Sequence, residues 1–276
     1  MPPSVEGWAT TRLPATGVRL VQRIGSFCYI LRAMDSRTTA RRVAEPINEF
    51  GARFMLDPAT FARCAEEGMP LSLASYVHGR LGVMGEIDVD AAIESMLFFE
   101  PTLVENAWVE ESGLTKAQSG TAYAAVCAER GRAYLNGFEG ASRLSQLLEK
   151  VADSADDTNA ALFAGWRDAD RPDDPAGRAY LMLATIRELR GCLHMTASRK
   201  AGVDPLAMVL ASGGEGTAQL HGYTDLDRKP ASAEQLTAIE EATTDADAAN
   251  YDCLTEDERT ELAKLVEAAV VHAAER

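Results

Sequence analysis

The sequence predicts an all-α protein, and three observations carry that prediction. The chain is rich in alanine, only 7% aromatic and poor in β-branched runs, a composition that suits helices better than sheets. Capping residues recur just ahead of apolar periodic stretches: Asp35, Asp57 before Pro58, Asp204 before Pro205, and Thr255 with Glu258 as a capping box. The longest uninterrupted helical pattern runs from Asp173 to Leu210, with apolar residues at helical spacing.

A chain of 276 residues has two domains as its default. Residues 1–34 are expected to form an N-terminal arm: Pro2, Pro3 and Pro14 disfavour a helix, and Val18 to Leu31 reads as a strand pair or as a helix broken at Gly25. Residues 35–152 read as an N-terminal helical domain. Its helices are predicted over 39–56, with Pro46 marking a kink or the true start, from Pro58 to Glu67, over 70–79, from the acidic cap near Asp88 to about Glu100, and over 101–109. Lys116–Ala133 and Ser142–Val151 follow, separated by Gly137 and Gly140. The stretch 153–174, rich in Asp, Pro and Gly, is the expected connector, with Trp166 docking in a groove. Residues 175–276 read as a C-terminal helical domain. There Gly202 suits a left-handed C-cap and Pro205 a first helical position. Residues 211–232 look irregular, with room for a hairpin or wing, and tail helices are predicted near 233–250 and 255–274.

Charge narrows the partners. With 27 basic against 42 acidic residues, the net charge is −15, which works against the phosphate neutralisation that holds a protein on DNA. A helix-turn-helix over 70–96 would present DVDAAIESMLFF as its second helix, which has no Arg, Lys, Asn or Gln to read base edges. Nucleic acid is therefore not the expected partner. Cys28, Cys64, Cys127, Cys192 and Cys253 are widely spaced, odd in number and form no CxxC pair, as in reduced cysteines of a cytoplasmic protein. No secretory signal or spanning segment is expected.

The site candidate lies on the central helix. Arg187, Arg190 and His194 fall within ~60° of one another at about 100° per residue, while Met182, Ile186, Leu189 and Leu193 share another, apolar face. Such a stripe can clamp an anion or carboxylate, with Arg190 supplying bidentate geometry and His194 exchanging a proton near neutral pH. His194 and Arg190 are thus the candidate catalytic pair, and Tyr76, His78, Trp166 and Arg187 the candidate ligand-binding residues. The competing reading pairs both arginines with Glu188 or acidic neighbours and makes His194 a satisfied core residue. His78 with His194, joined by Glu86, Glu188 or Asp204, has no metal-binding spacing, so no metal is assigned. GGEG at 213–216 lacks a preceding strand and GxGxxG spacing, so it reads as a flexible loop and no cofactor is assigned. Cys192 and His194 diverge by about 200° on a helix, which excludes a nucleophile–base pair. A weak internal echo places His78 seven residues before Gly85 and His194 eight before Gly202, each followed by an acidic residue and a helix.

With RRVAEPINEFGARFMLDPATFARC, ASYVHGRLGVMG and IRELRGCLHMTASRKAGVDPLAM, the chain resembles the actinobacterial SalK-like helix-turn-helix family over roughly 38–210. The segment from Arg187 to His194 is the most specific part. The tail LTEDERTELAKLVEAAV is similar to the last helix of a MarR-type winged-helix regulator. The resemblance implies a largely helical, winged-helix-derived fold, sometimes encoded beside genes of specialised metabolism. This chain departs from the pattern at Cys192 and Leu193, and in a short segment 210–232 without the usual second-wing helix. The expected architecture is two related helical halves of degenerate winged-helix type, with room for a small β-wing. The expected function is intracellular binding of a small anionic or aromatic metabolite between those halves, with acid–base catalysis left open. The alternative is a MarR-like regulator that binds DNA as a dimer, and a third reading is a helical partner-binding protein. Paired helices at the termini suit a homodimer.

Overall fold

A computed structural model describes residues 34–275, and within them the fold is all α. The expected arm lies outside the described residues apart from Met34. Twelve α-helices are described: α1 Ser36–Ala52, α2 Pro58–Glu66, α3 Leu73–Gly82, α4 Val89–Glu94, α5 Pro101–Val109, α6 Lys116–Tyr134, α7 Ala141–Ser154, α8 Ala161–Arg167, α9 Pro175–Ala201, α10 Pro205–Leu220, α11 Ala233–Ala248 and α12 Glu256–Ala274. No described helix is long and apolar enough to cross a membrane.

The capping residues act as their chemistry dictates. Asp35, Asp57, Asp88, Asp174 and Asp204 each accept a hydrogen bond from a backbone N–H of the following first turn. Thr115 with Gln118, Ser232 with Gln235 and Thr255 with Glu258 close reciprocal capping boxes. Gly202 ends α9 in the left-handed region at φ 64°, where a Cβ would be strained. Pro46 does not end α1. Its missing N–H frees the carbonyl of exposed Arg42, which water can reach.

Three expectations are corrected. The helix predicted to reach Glu100 stops at Glu94, and Glu100 could not have continued it, since before Pro101 it takes extended backbone at ψ 128°. Residues 95–99 instead form tight turns, with Met96 N donating to Ile93 O and Phe99 N to Met96 O. The region 211–220 is not a wing. α10 continues through GGEG by a kink at Gly214, whose φ of 71° only glycine adopts readily, and no strand occurs among the described residues. The stretch 153–174 contains α8, which has no side-chain cap to announce it and starts just after Asn159 at φ 62°.

The 27-residue α9 is the axis of the molecule and packs against α1, α6, α7, α8 and α11. One buried apolar cluster runs from Ala40 to Ala273, so helices before and after 153–174 share a core. At its centre Phe50, Phe54, Tyr123, Tyr134, Trp166 and Tyr180 meet at ring separations of 5.0–6.3 Å, mostly edge-on, the geometry that aromatic quadrupoles favour. The Tyr180 hydroxyl donates to Phe50 O at 2.8 Å and accepts from Phe54 N, which ties the C-terminal end of α1 to α9. α3 crosses α6 at near-backbone contact through Gly79, Gly82 and Gly120. A smaller cluster of Leu206, Val209 and Ala218 holds α10 against Phe98.

Asp247 on α11 supplies a pH test of this packing. It is 1% exposed; one carboxylate oxygen accepts from Asn250 at 3.1 Å and the other has no partner among the described residues. Burial pushes its pKa from 3.8 up to about 6. The fold therefore holds a proton that the unfolded chain releases, so ionised Asp247 disfavours folding above about pH 6. That penalty fades as the pH falls toward 3.8. Urea unfolding of Asp247→Asn against the parent is expected to show the difference shifting by about 2–3 kcal/mol in the variant's favour between about pH 4 and 7.5. A difference that does not change with pH would reject this account.

Candidate functional site

One face of α9 opens on a cavity of about 300 Å³. Arg187, Arg190, Gly191, His194 and Met195 form its floor. Ile47 and Asn48 of α1, Arg80 of α3, residues 95–99 and Glu240 of α11 form the walls. Three arginines against Glu188 and Glu240 leave a net +1 around this cavity, in a chain whose total is −15.

The deepest part is a buried ion triad. Glu188 is 0% exposed and accepts from Arg80 twice, from Nη2 at 2.8 Å and Nε at 3.2 Å, and from Arg187 Nη1 at 2.7 Å. Burial pushes the Glu188 carboxyl up, but the charges of Arg80 and Arg187 outweigh it and hold the group below its ordinary value. Arg80 is fixed further by the sulfur of Met96 at 2.9 Å. The two cavity arginines on α9 are less fully engaged. Among the described residues Arg187 bonds protein through Nη1 alone, and Arg190 through Nη2 alone, to Glu240. Both Nε atoms are buried without a partner, a condition that costs about 1–3 kcal/mol per group.

His194 is set in one tautomer by its neighbour. Thr243 donates its hydroxyl proton to Ile239 O at 2.8 Å, so its oxygen accepts, and His194 Nδ1 at 3.1 Å carries the proton. Nε2 then presents a lone pair, and among the described residues no protein donor bonds it. Burial, and then the charge of Arg190, lower the His194 pKa, which keeps the ring neutral near pH 7. The Phe98 ring lies 5.7 Å from this imidazole. The site can therefore donate hydrogen bonds to an anion and accept one from a neutral donor.

The remaining candidates are placed elsewhere. His78 sits two positions from Arg80, about 200° around α3, and faces α5 and α6. Its Nε2 lies 3.2 Å from Trp108 O and 2.6 Å from Lys116 Nζ, so it does not meet His194. Trp166 does not dock in a groove. It is 0% exposed in the aromatic core, donating to Arg80 O at 3.1 Å. Tyr76 stands behind the cavity wall, 6.0 Å from the Phe99 ring and 5.9 Å from the Arg80 guanidinium. Cys192 is buried, which pushes its thiol up to about 11. Among the described residues no group of three His, Cys, Asp or Glu is arranged to hold a metal ion. Sequence reasoning missed Arg80, Glu240, Thr243 and residues 95–99. Only Arg80 carried a signal, as the one cation in the otherwise uncharged α3.

The helices from α3 to α5 present little basic surface, and the arginines of α1 are paired. Every residue of α3 from Ala74 to Gly82 is buried, and α4 and α5 carry no Lys or Arg. On α1, Arg37, Arg41 and Arg42 pair with Glu241, Asp245 and Glu267.

The model of a helix-turn-helix family matches residues 40–229, a span that includes α2 to α10 and the cavity floor. No curated protein and no solved structure matches the chain.

Proposed function

The chain belongs to this helix-turn-helix family, and from that premise we propose that it uses these helices to enclose a small anionic ligand rather than to grip DNA. One observation carries the reading. Among the described residues, two arginines one helical turn apart each use a single nitrogen on protein partners, and both line a cavity of about 300 Å³. Guanidinium groups recognise carboxylate and phosphate by paired parallel hydrogen bonds, so a monocarboxylate or a phosphate fits them. The lone pair on His194 leaves acid–base chemistry open to a bound substrate. The finer placement in the SalK-like group, with an actinobacterial source and a link to specialised metabolism, rests on the segment Arg187 to His194.

Calorimetric titration with acetate, oxalate, phosphate and benzoate tests the proposal. At least one of these is expected to bind, and Arg190→Ala to weaken that binding tenfold or more while the melting temperature stays within a few degrees. Equal affinity in the variant would overturn it. Family membership favours a second reading, a regulator that binds DNA as a dimer. It predicts duplex retention in an electrophoretic assay at low salt, abolished by added salt. The buried α3 and the neutralised arginines of α1 speak for no retention.

A further inference from the structure

The cavity carries more than an anion clamp. On α9 the backbone positions of Arg190 and His194 are about 6 Å apart along the axis, and those of Arg187 and His194 about 10 Å. The clamp donates, and the far end of the stripe accepts. Because Thr243 holds the Nδ1 proton, Nε2 repels another acceptor and rewards a donor. Two aromatic rings stand among the cavity's walls: Phe98 lies 5.7 Å from the His194 ring, and Phe99, next to it in sequence, is stacked on His221 at 4.3 Å. Phe98 is held from outside by its carbonyl, which accepts from His221 Nδ1 at 2.9 Å. The cavity thus combines cationic donors, aromatic walls and a hydrogen-bond acceptor.

We propose that the ligand is an aromatic monocarboxylate bearing a hydroxyl remote from its acid group, with the carboxylate on Arg187 and Arg190 and the hydroxyl donating to His194 Nε2. This proposal rests on the anion-binding reading above and adds the body and the donor. A site whose polar group must be paired rejects an isostere that lacks the partner more strongly than it rejects a change of size.

The test compares 4-hydroxybenzoate with 4-methylbenzoate by calorimetry at pH 7.5, on the full chain and two variants. The parent is expected to prefer the hydroxyl compound at least tenfold. His194→Asn keeps an amide N–H where Nδ1 stood, facing Thr243, but has no atom at the Nε2 position. It is expected to bind both compounds within about twofold of each other. His194→Gln, which returns an acceptor oxygen near that position, is expected to recover part of the preference, an outcome that a purely structural role for His194 would not produce. Equal binding of the two compounds by the parent overturns this proposal and leaves the anion clamp intact. So does binding of phosphate or oxalate with no binding of either benzoate. Failure of every anion to bind overturns both readings.

Discussion

Alanine at Gly82 is expected to remove the folded state rather than weaken it. A Cβ there would stand 2.1 Å from Lys116 O and 2.8 Å from Gly120 N. Both are backbone atoms of α6, so no side chain can swing aside to make room. The same crossing holds Gly79, whose Cβ would lie 2.3 Å from the Tyr123 ring, and Gly120, whose Cβ would lie 2.3 Å from the Gly82 carbonyl carbon. The two helices would have to part by more than an ångström along their whole contact, which would open the core around Tyr123 and Trp166. The cost exceeds the roughly 4–5 kcal/mol that marks the extreme of single substitutions and takes most of a stability of about 5–15 kcal/mol. Soluble yield and a circular-dichroism melt read the result. Gly216→Ala is the control: it lies in α10 with nothing within 4 Å of its Cβ, and it is expected to melt at or slightly above the parent temperature. A Gly82→Ala protein that melts like the parent would mean that α3 and α6 do not cross as described.

The second large effect concerns the ion triad beneath the cavity. Arg80→Met removes both hydrogen bonds from Arg80 to Glu188 and leaves a carboxylate at 0% exposure with Arg187 alone. Breaking a buried pair on one side costs about 3–5 kcal/mol, because the remaining charge stays desolvated, whereas replacing both partners with apolar groups is often close to neutral. Chemical denaturation is therefore expected to show Arg80→Met less stable by that amount. The double variant Arg80→Met/Glu188→Leu is expected to recover most of the loss. A single-variant cost under about 1 kcal/mol, as for an exposed pair, would contradict the burial described for Glu188.

How much was legible in the sequence follows from distance along the chain. Caps act over three residues, so Asp57, Asp204 and the Thr255–Glu258 box announced helix starts that the structure places where expected. The stripe of Arg187, Arg190 and His194 was legible because a helix repeats within a few residues. What completes the cavity was not legible. Glu188 reaches Arg80 across 108 positions, Arg190 reaches Glu240 across 50, and His194 reaches Thr243 across 49, and no local pattern encodes such pairings. The same limit misplaced His78 and Trp166. Each was a polar-tipped ring in an uninformative setting, and which side of its helix met the core depended on partners far along the chain. In the sequence, residues 95–99 read as the end of the helix that follows the acidic cap near Asp88. The hydrogen bond from Glu100 N to His221 O, which helps hold this segment against α10, comes from beyond any sequence window.

The position of α9 between helices that precede and follow it also sets an order of events during synthesis. α1, α6 and α7 are made before α9 and can cover part of it at once, whereas α11, which brings Glu240 and Thr243, is made after it. With 50 residues between Arg190 and Glu240 and translation at about 5–20 residues per second, roughly 3–10 s separate the two on the ribosome. During that interval the nascent chain carries a finished arginine stripe beside an uncovered apolar flank, with His194 lacking the neighbour that assigns its proton. A stall or truncation before α11 therefore yields a sticky fragment that chaperones would hold, not a smaller working protein. The cavity wall that Glu240 supplies, and the Thr243 contact to His194, arrive only with the last quarter of the chain.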